Sequence, residues 1–72
     1  MGKKKPNESI PLSVLRKSRN MSQEDLARDL KVSRSLIGLY EVGKRTPSLN
    51  MAKRVAKYFN MPVESIRFSN KA

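Results

Sequence analysis

Between Ser22 and Glu41 the chain holds two runs of about eight residues, each opened by a serine and joined by the three residues Lys31 to Ser33. Ser22 is a good N-cap, because its hydroxyl can accept from a first-turn backbone N–H, and Glu24 and Asp25 follow where the helix dipole favours negative charge. Leu26, Ala27 and Leu30 then fall on one face. Ser33 repeats the cap and opens Arg34 to Glu41, which stops at Gly43, a residue suited to a left-handed helix end. Two helices this short cannot bury a core between themselves. The rest of the chain must supply partners for their apolar faces.

It does so with the same short amphipathic grammar. Leu12 to Arg19 places Leu12 and Leu15 one turn apart and ends at Asn20. After a connection from Lys44 to Pro47, Ser48 caps a run in which Leu49, Ala52, Val55, Ala56 and Phe59 follow the i, i+3, i+4, i+7 rule, ending at Asn60. Pro62 suits the first turn of a short fifth helix over Val63 to Phe68. No segment alternates as a half-buried strand does, so the expected class is all-α, with five helices in one domain over residues 10–69. Residues 1–9 show no apolar periodicity and hold Lys3, Lys4 and Lys5. They read as a flexible basic arm.

Composition narrows the function. Seventeen of the 72 residues are Leu, Ile, Val or Phe, above the roughly 20% level at which disorder becomes the default. With no Cys and no His, the chain lacks disulfides, thiolates, imidazole bases and the usual zinc ligands. The six acids show no spacing of a carboxylate pair, and there is no glycine-rich phosphate loop. No catalytic residue, metal, cofactor or small-molecule substrate is expected. Sixteen basic residues give a net charge of +10, which calls for an anionic partner. No run approaches the ~18 apolar residues of a membrane span, and no signal-like apolar core follows the basic start, so a cytoplasmic protein without membrane contact is expected.

The Ser22 to Glu41 unit has the spacing of a helix-turn-helix. At 100° per residue, Leu36, Ile37 and Tyr40 gather on one side of its second helix, and Arg34, Ser35, Gly38 and Leu39 on the other. The first side packs, and the second is free to read. Arg34 can bond a guanine bidentately, Ser35 can donate or accept, and Leu39 can meet a thymine methyl. Gly38 costs about 1 kcal/mol in a helix, and close approach of DNA is one reason for it. Between Lys31 and Lys57 lie seven basic residues against one acid, Glu41, which suits a phosphate-facing surface.

The residues Leu15-Arg16, Met21-Ser22-Gln23-Glu24-Asp25-Leu26-Ala27, Val32-Ser33-Arg34-Ser35-Leu36-Ile37, Glu41-Val42-Gly43-Lys44-Arg45 and Pro47-Ser48-Leu49 resemble the Cro/C1-type (XRE) helix-turn-helix regulators over about Leu12 to Phe68. The resemblance implies a five-helix lambda-repressor-like domain that binds operator DNA as a two-fold dimer. It puts Arg34, Ser35, Gly38 and Leu39 at base-facing positions and Gln23, Ser33, Lys44, Arg45 and Thr46 at backbone-facing ones. Lys3, Lys4 and Lys5 look like the lysine arm of phage lambda repressor. Arg16 and Glu41 match a family ion pair, and Glu41 borders the packed side of its helix, where an unpaired charge is costly. Two positions depart from the pattern: Lys31 stands where the family usually has Gly, and Leu39 where it usually has a polar residue.

The expected function is a DNA-binding transcriptional regulator, most simply a repressor that occludes a promoter, nucleoid-associated in a bacterial or phage-infected cell. Val63, Ile66 and Phe68 offer apolar surface for a homodimer interface; the alternative is that Ile66 and Phe68 close the monomer core. A second reading is an antitoxin or antirepressor target, whose main work is protein–protein contact, with Leu39, Val42 and the C-terminal segment as its surface. An RNA-binding or membrane-surface protein is disfavoured, because the apolar residues are used for packing and aromatics number only four.

Overall fold

The computed structural model describes residues 9–68. A two-residue strand, β1 (Ile10–Pro11), leads into α1 (Leu12–Ser18), followed by α2 (Gln23–Leu30), α3 (Arg34–Val42) and α4 (Leu49–Phe59). A 3-10 turn over Val63–Ser65 then delivers the chain to β2 (Ile66–Arg67), which pairs in parallel with β1, Ile10 opposite Ile66 and Pro11 opposite Arg67.

Serine hydroxyls start three of the four helices. Ser33 Oγ accepts from the Leu36 N–H at 3.1 Å, and Ser48 Oγ from the Met51 N–H at 3.1 Å. At α2 the cap is reciprocal: Ser22 Oγ accepts from the Asp25 N–H at 3.0 Å, while the Ser22 N–H donates to Asp25 Oδ2 at 2.9 Å. That backbone donor, with help from the Ser22 hydroxyl and Arg28, holds the Asp25 carboxyl below its ordinary pKa. The helices end on left-handed residues: Lys31 closes α2 at φ 63°, Gly43 closes α3 at φ 81°, and Asn60 closes α4 at φ 59°. Asn20, one residue past the cap of α1, shares the conformation at φ 57°.

Leu12, Leu26, Leu30, Ile37, Tyr40, Val55, Ala56, Phe59 and Ile66 form one contiguous core. Two arginines fasten its rim. Arg19 lies 4.8 Å from the Phe59 ring centroid and donates to the carbonyls of Tyr58 and Phe59, at the negative end of the α4 dipole. Arg54 likewise donates to the Leu30 carbonyl at the end of α2.

The helical class stands, but with four helices among the described residues rather than five. Val63 to Phe68 make one 3-10 turn and then an extended segment, with Ile66 at φ −110°, ψ 134°. Six residues do not sustain an isolated helix. Extending the chain instead lets Ile66 enter the core while its backbone pairs with the segment ahead of α1. The expected arm with Lys3, Lys4 and Lys5 lies outside the described residues.

Candidate nucleic-acid interface

The turn between α2 and α3 is set by Lys31. Its left-handed backbone reverses the chain, its N–H closes onto the Arg28 carbonyl at 3.2 Å, and the next N–H, of Val32, bonds the Ala27 carbonyl at 2.9 Å. This cap ends α2, and Ser33, two residues on, caps α3. The inner face of α3 buries Ile37, Tyr40 and Glu41; Arg34 and Ser35, at its first turn, are exposed.

Gly38 and Leu39 are half-buried on the next turn. A Cβ added at Gly38 would come 3.8 Å from both the oxygen and the nitrogen of the Gln23 side-chain amide, an ordinary contact distance. The Gln23 amide therefore lies across the glycine. Past the helix, the Lys44 and Arg45 N–H groups both donate to the Leu39 carbonyl, at 3.0 and 3.3 Å, holding the exposed loop of Lys44, Arg45 and Thr46 against the end of α3. Ser33 is exposed at the opposite end of the helix.

A chain of hydrogen bonds runs from the core to this surface. Arg16 donates through Nε to Glu41 Oε2 at 2.7 Å and through Nη2 to Glu41 Oε1 at 3.1 Å, a bidentate pair in which the two residues are 8% and 6% exposed. The remaining Arg16 nitrogen donates to the Met21 carbonyl at 2.8 Å. Gln23 Nε2 donates to Glu41 Oε1 at 3.0 Å, and Gln23 Oε1 accepts from Arg34 Nη1 at 3.1 Å. Gln23 stands at the first position of α2, so its own helix terminus adds free backbone N–H groups beside these side chains.

The comparisons with known proteins agree with this arrangement. A family profile described as helix-turn-helix matches residues 12–66. The chain belongs to the Cro/C1-type (XRE) helix-turn-helix family. It is 46% identical over 55 residues to the HTH-type transcriptional regulator MJ0272 of Methanocaldococcus jannaschii, covering 76% of this chain and 83% of that one. It is 36% identical to the transcriptional activator BcrR of Enterococcus faecalis, over 76% of this chain but 27% of BcrR. It is 29% identical to the cryptic phage CTXphi transcriptional repressor RstR of Vibrio cholerae, over 81% of this chain and 52% of RstR. The chain thus spans about a quarter of one relative and half of another. As a member of this family it is a DNA-binding transcription regulator.

Within the family frame, α2 and α3 bring Gln23, Ser33, Arg34, Ser35, Gly38 and Leu39 together, and the loop after α3 adds Lys44, Arg45 and Thr46. The C-terminal residues are placed differently. Ile66 is 6% exposed and closes the monomer core, because β-pairing with Ile10 turns it inward; its side chain is not free for a partner. Val63 and Phe68 are half-buried against the same core, with Phe68 edge-on to Tyr40 at 6.1 Å. The residue links that sequence reasoning missed are Gln23 to Glu41 and Gln23 to Arg34, 18 and 11 positions apart. No helix among the described residues is long and apolar enough to cross a membrane.

Proposed function

We propose that this regulator is a repressor that binds a palindromic duplex operator as a dimer, with α3 in the major groove. The observation that carries the reading is the exposed first turn of α3: Arg34 and Ser35 stand free of the core while Ile37, Tyr40 and Glu41 anchor the helix beneath them. In this reading Arg34, Ser35, Gly38 and Leu39 meet bases. Gln23, Ser33, Lys44, Arg45 and Thr46 meet phosphates on either side and set the register without reading sequence. Lys3, Lys4 and Lys5 are further candidates for the backbone. Two such units related by a two-fold axis would set their α3 helices about 34 Å apart, on successive major grooves.

The outer faces of Val63 and Phe68 are the candidate dimer surface. Repression by occlusion asks only for occupancy of a promoter site, and RstR, a named repressor, is among the relatives. The proposed location is the cytoplasm, on the nucleoid. The reading of an antitoxin or antirepressor target draws on Val42 and Leu49, which are 54% and 64% exposed at the two ends of the loop after α3. Capture of a stoichiometric partner protein from the source cell, with disruption by Val42→Asp, would favour it.

Selection of bound sites from random duplex DNA tests the main reading. The expected result is an enriched palindrome and, in sedimentation, a dimer on that site. Binding that enriches no sequence and weakens equally for all duplexes as salt rises would overturn it.

A further inference from the structure

We propose that the buried Arg16–Glu41 pair is a positioning device for base reading: through the Gln23 amide it fixes where the Arg34 guanidinium stands. The inference rests on Arg34 as a base-contacting residue and adds Glu41, which faces the core, to the residues that determine specificity.

The argument is one of donors and acceptors. An ionised carboxylate only accepts hydrogen bonds, and a guanidinium only donates them. Gln23 lies between one of each, so a single amide orientation satisfies both ends: Nε2–H toward Glu41 Oε1, and Oε1 toward Arg34 Nη1. An ammonium at position 23 would fail toward Arg34, and a carboxylate would fail toward Glu41. The Glu41 carboxylate cannot turn to relax the arrangement. Arg16 grips both of its oxygens, and Arg16 is itself held by the Met21 carbonyl.

Gly38 completes the geometry, since the amide lies across it with both heavy atoms 3.8 Å from where a Cβ would be. Sequence distance and burial separate the ends of this relay, yet each link is a hydrogen bond of 2.7 to 3.1 Å. Arg34 spends one of its five N–H donors on Gln23, and the remaining donors include a fork able to take the O6 and N7 of a guanine. A long cationic side chain is thereby ordered before DNA arrives. An immobilised side chain of this kind is worth about a three- to tenfold gain in binding.

Three substitutions in the full chain and one spectroscopic probe test the proposal, using duplexes drawn from random-sequence selection. Arg34→Ala first identifies the operator base pair whose preference Arg34 carries. Glu41→Gln, assayed below its own melting temperature, is then expected to flatten preference at that same base pair by about three- to tenfold and to leave the other positions unchanged. Gln23→Met breaks both hydrogen bonds while keeping the side-chain length and the ion pair. It is expected to flatten the same position, and it keeps the test alive if Glu41→Gln does not fold. In the DNA-free protein, the Arg34 Nε–H resonance should be ordered in the wild type and become motionally averaged in both variants.

A uniform loss of affinity at every base pair, with no selective flattening, would overturn the proposal and leave Glu41 purely structural. An Arg34 side chain equally mobile in wild type and variants would overturn it without reference to DNA. If Arg34→Ala changes no base preference, the base-reading assignment itself fails while the motional measurement still judges the relay.

Discussion

The two faces of α3 are built to opposite specifications. The inner face holds Ile37, Tyr40 and Glu41 with almost no solvent contact, and every polar atom there that bears charge is paired. The outer face holds Arg34 and Ser35 in solvent, with a glycine where a helix would ordinarily place a side chain. The inner face holds the monomer together. The outer face spends helix propensity at Gly38, which is half-buried beneath the Gln23 amide. Between them, the Gln23 amide joins an inner-face carboxylate to an outer-face guanidinium. The contrast predicts that substitutions sort by face, inner changes acting on stability and outer changes on recognition, except at Glu41, whose link to Gln23 carries it into both.

The sharpest way to break that sorting is Glu41→Ala. It leaves the Arg16 guanidinium, 8% exposed, without a counter-charge, and truncating one partner of a buried pair costs about 3–5 kcal/mol. Urea denaturation should show the midpoint fall with little change in slope. Replacing both residues with apolar ones, as in Arg16→Met with Glu41→Leu, should recover most of the loss, because the penalty belongs to the stranded charge rather than to a missing attraction. A double-mutant cycle with no coupling between the two positions would remove the pair from the inner-face account.

On the outer face, Arg34→Ala should leave stability within about 0.5 kcal/mol of the wild type. It should cost about 1–3 kcal/mol of discrimination at one base pair. Thermal melts and competition binding over single-base operator variants measure the two quantities on the same samples. A large stability loss would show that Arg34 is structural and that the faces are not separate.

Much of this division is legible in the residues. The serine caps, the left-handed ends at Asn20, Asn60 and Gly43, and the inward set Leu26, Leu30, Ile37, Val55 and Phe59 all follow from local chemistry and helical period. The strands do not, because alternation needs more than the two residues that β1 and β2 each contain. Val63 to Phe68 read as a fifth helix for a related reason: they carry apolar residues at spacings compatible with one helical turn, and only pairing with Ile10 decides for extension. The Gln23 relay is the hardest to see. Its members are brought together by tertiary packing, whereas pattern reasoning sees partners three or four positions apart. The assignment of bases to Arg34, Ser35, Gly38 and Leu39 rests on family resemblance, joined by exposure at Arg34 and Ser35 alone.

A third substitution bears on neither face. Lys31 holds φ 63° at the end of α2, and a non-glycine residue pays roughly 1 kcal/mol or more for that conformation. Lys31→Gly should therefore raise stability by about 1 kcal/mol, less the extra chain entropy that glycine gives the unfolded state. A full 1 kcal/mol would be a rise of about 4–8 °C in Tm for a domain of this size, so the net rise should fall below that range. Base discrimination should not move, since the turn keeps its geometry. A fall in Tm would mean that the lysine side chain contributes something at the turn beyond its backbone.

The smallest expected effect separates stability from recognition most cleanly. Gly38 lies in the interior of a nine-residue helix, where glycine costs roughly 0.5–1 kcal/mol relative to alanine. The methyl of Gly38→Ala has room in the free protein, because its nearest neighbours are the Gln23 amide atoms at 3.8 Å. Stability should rise by about that amount. If the outer face is where DNA comes close, the same methyl occupies space that the duplex needs, and operator affinity should fall while the melting temperature climbs. One substitution would then move the two properties in opposite directions. Affinity unchanged or improved in a more stable variant would show that DNA does not approach α3 at this turn, and would confine the reading surface to Arg34 and Ser35.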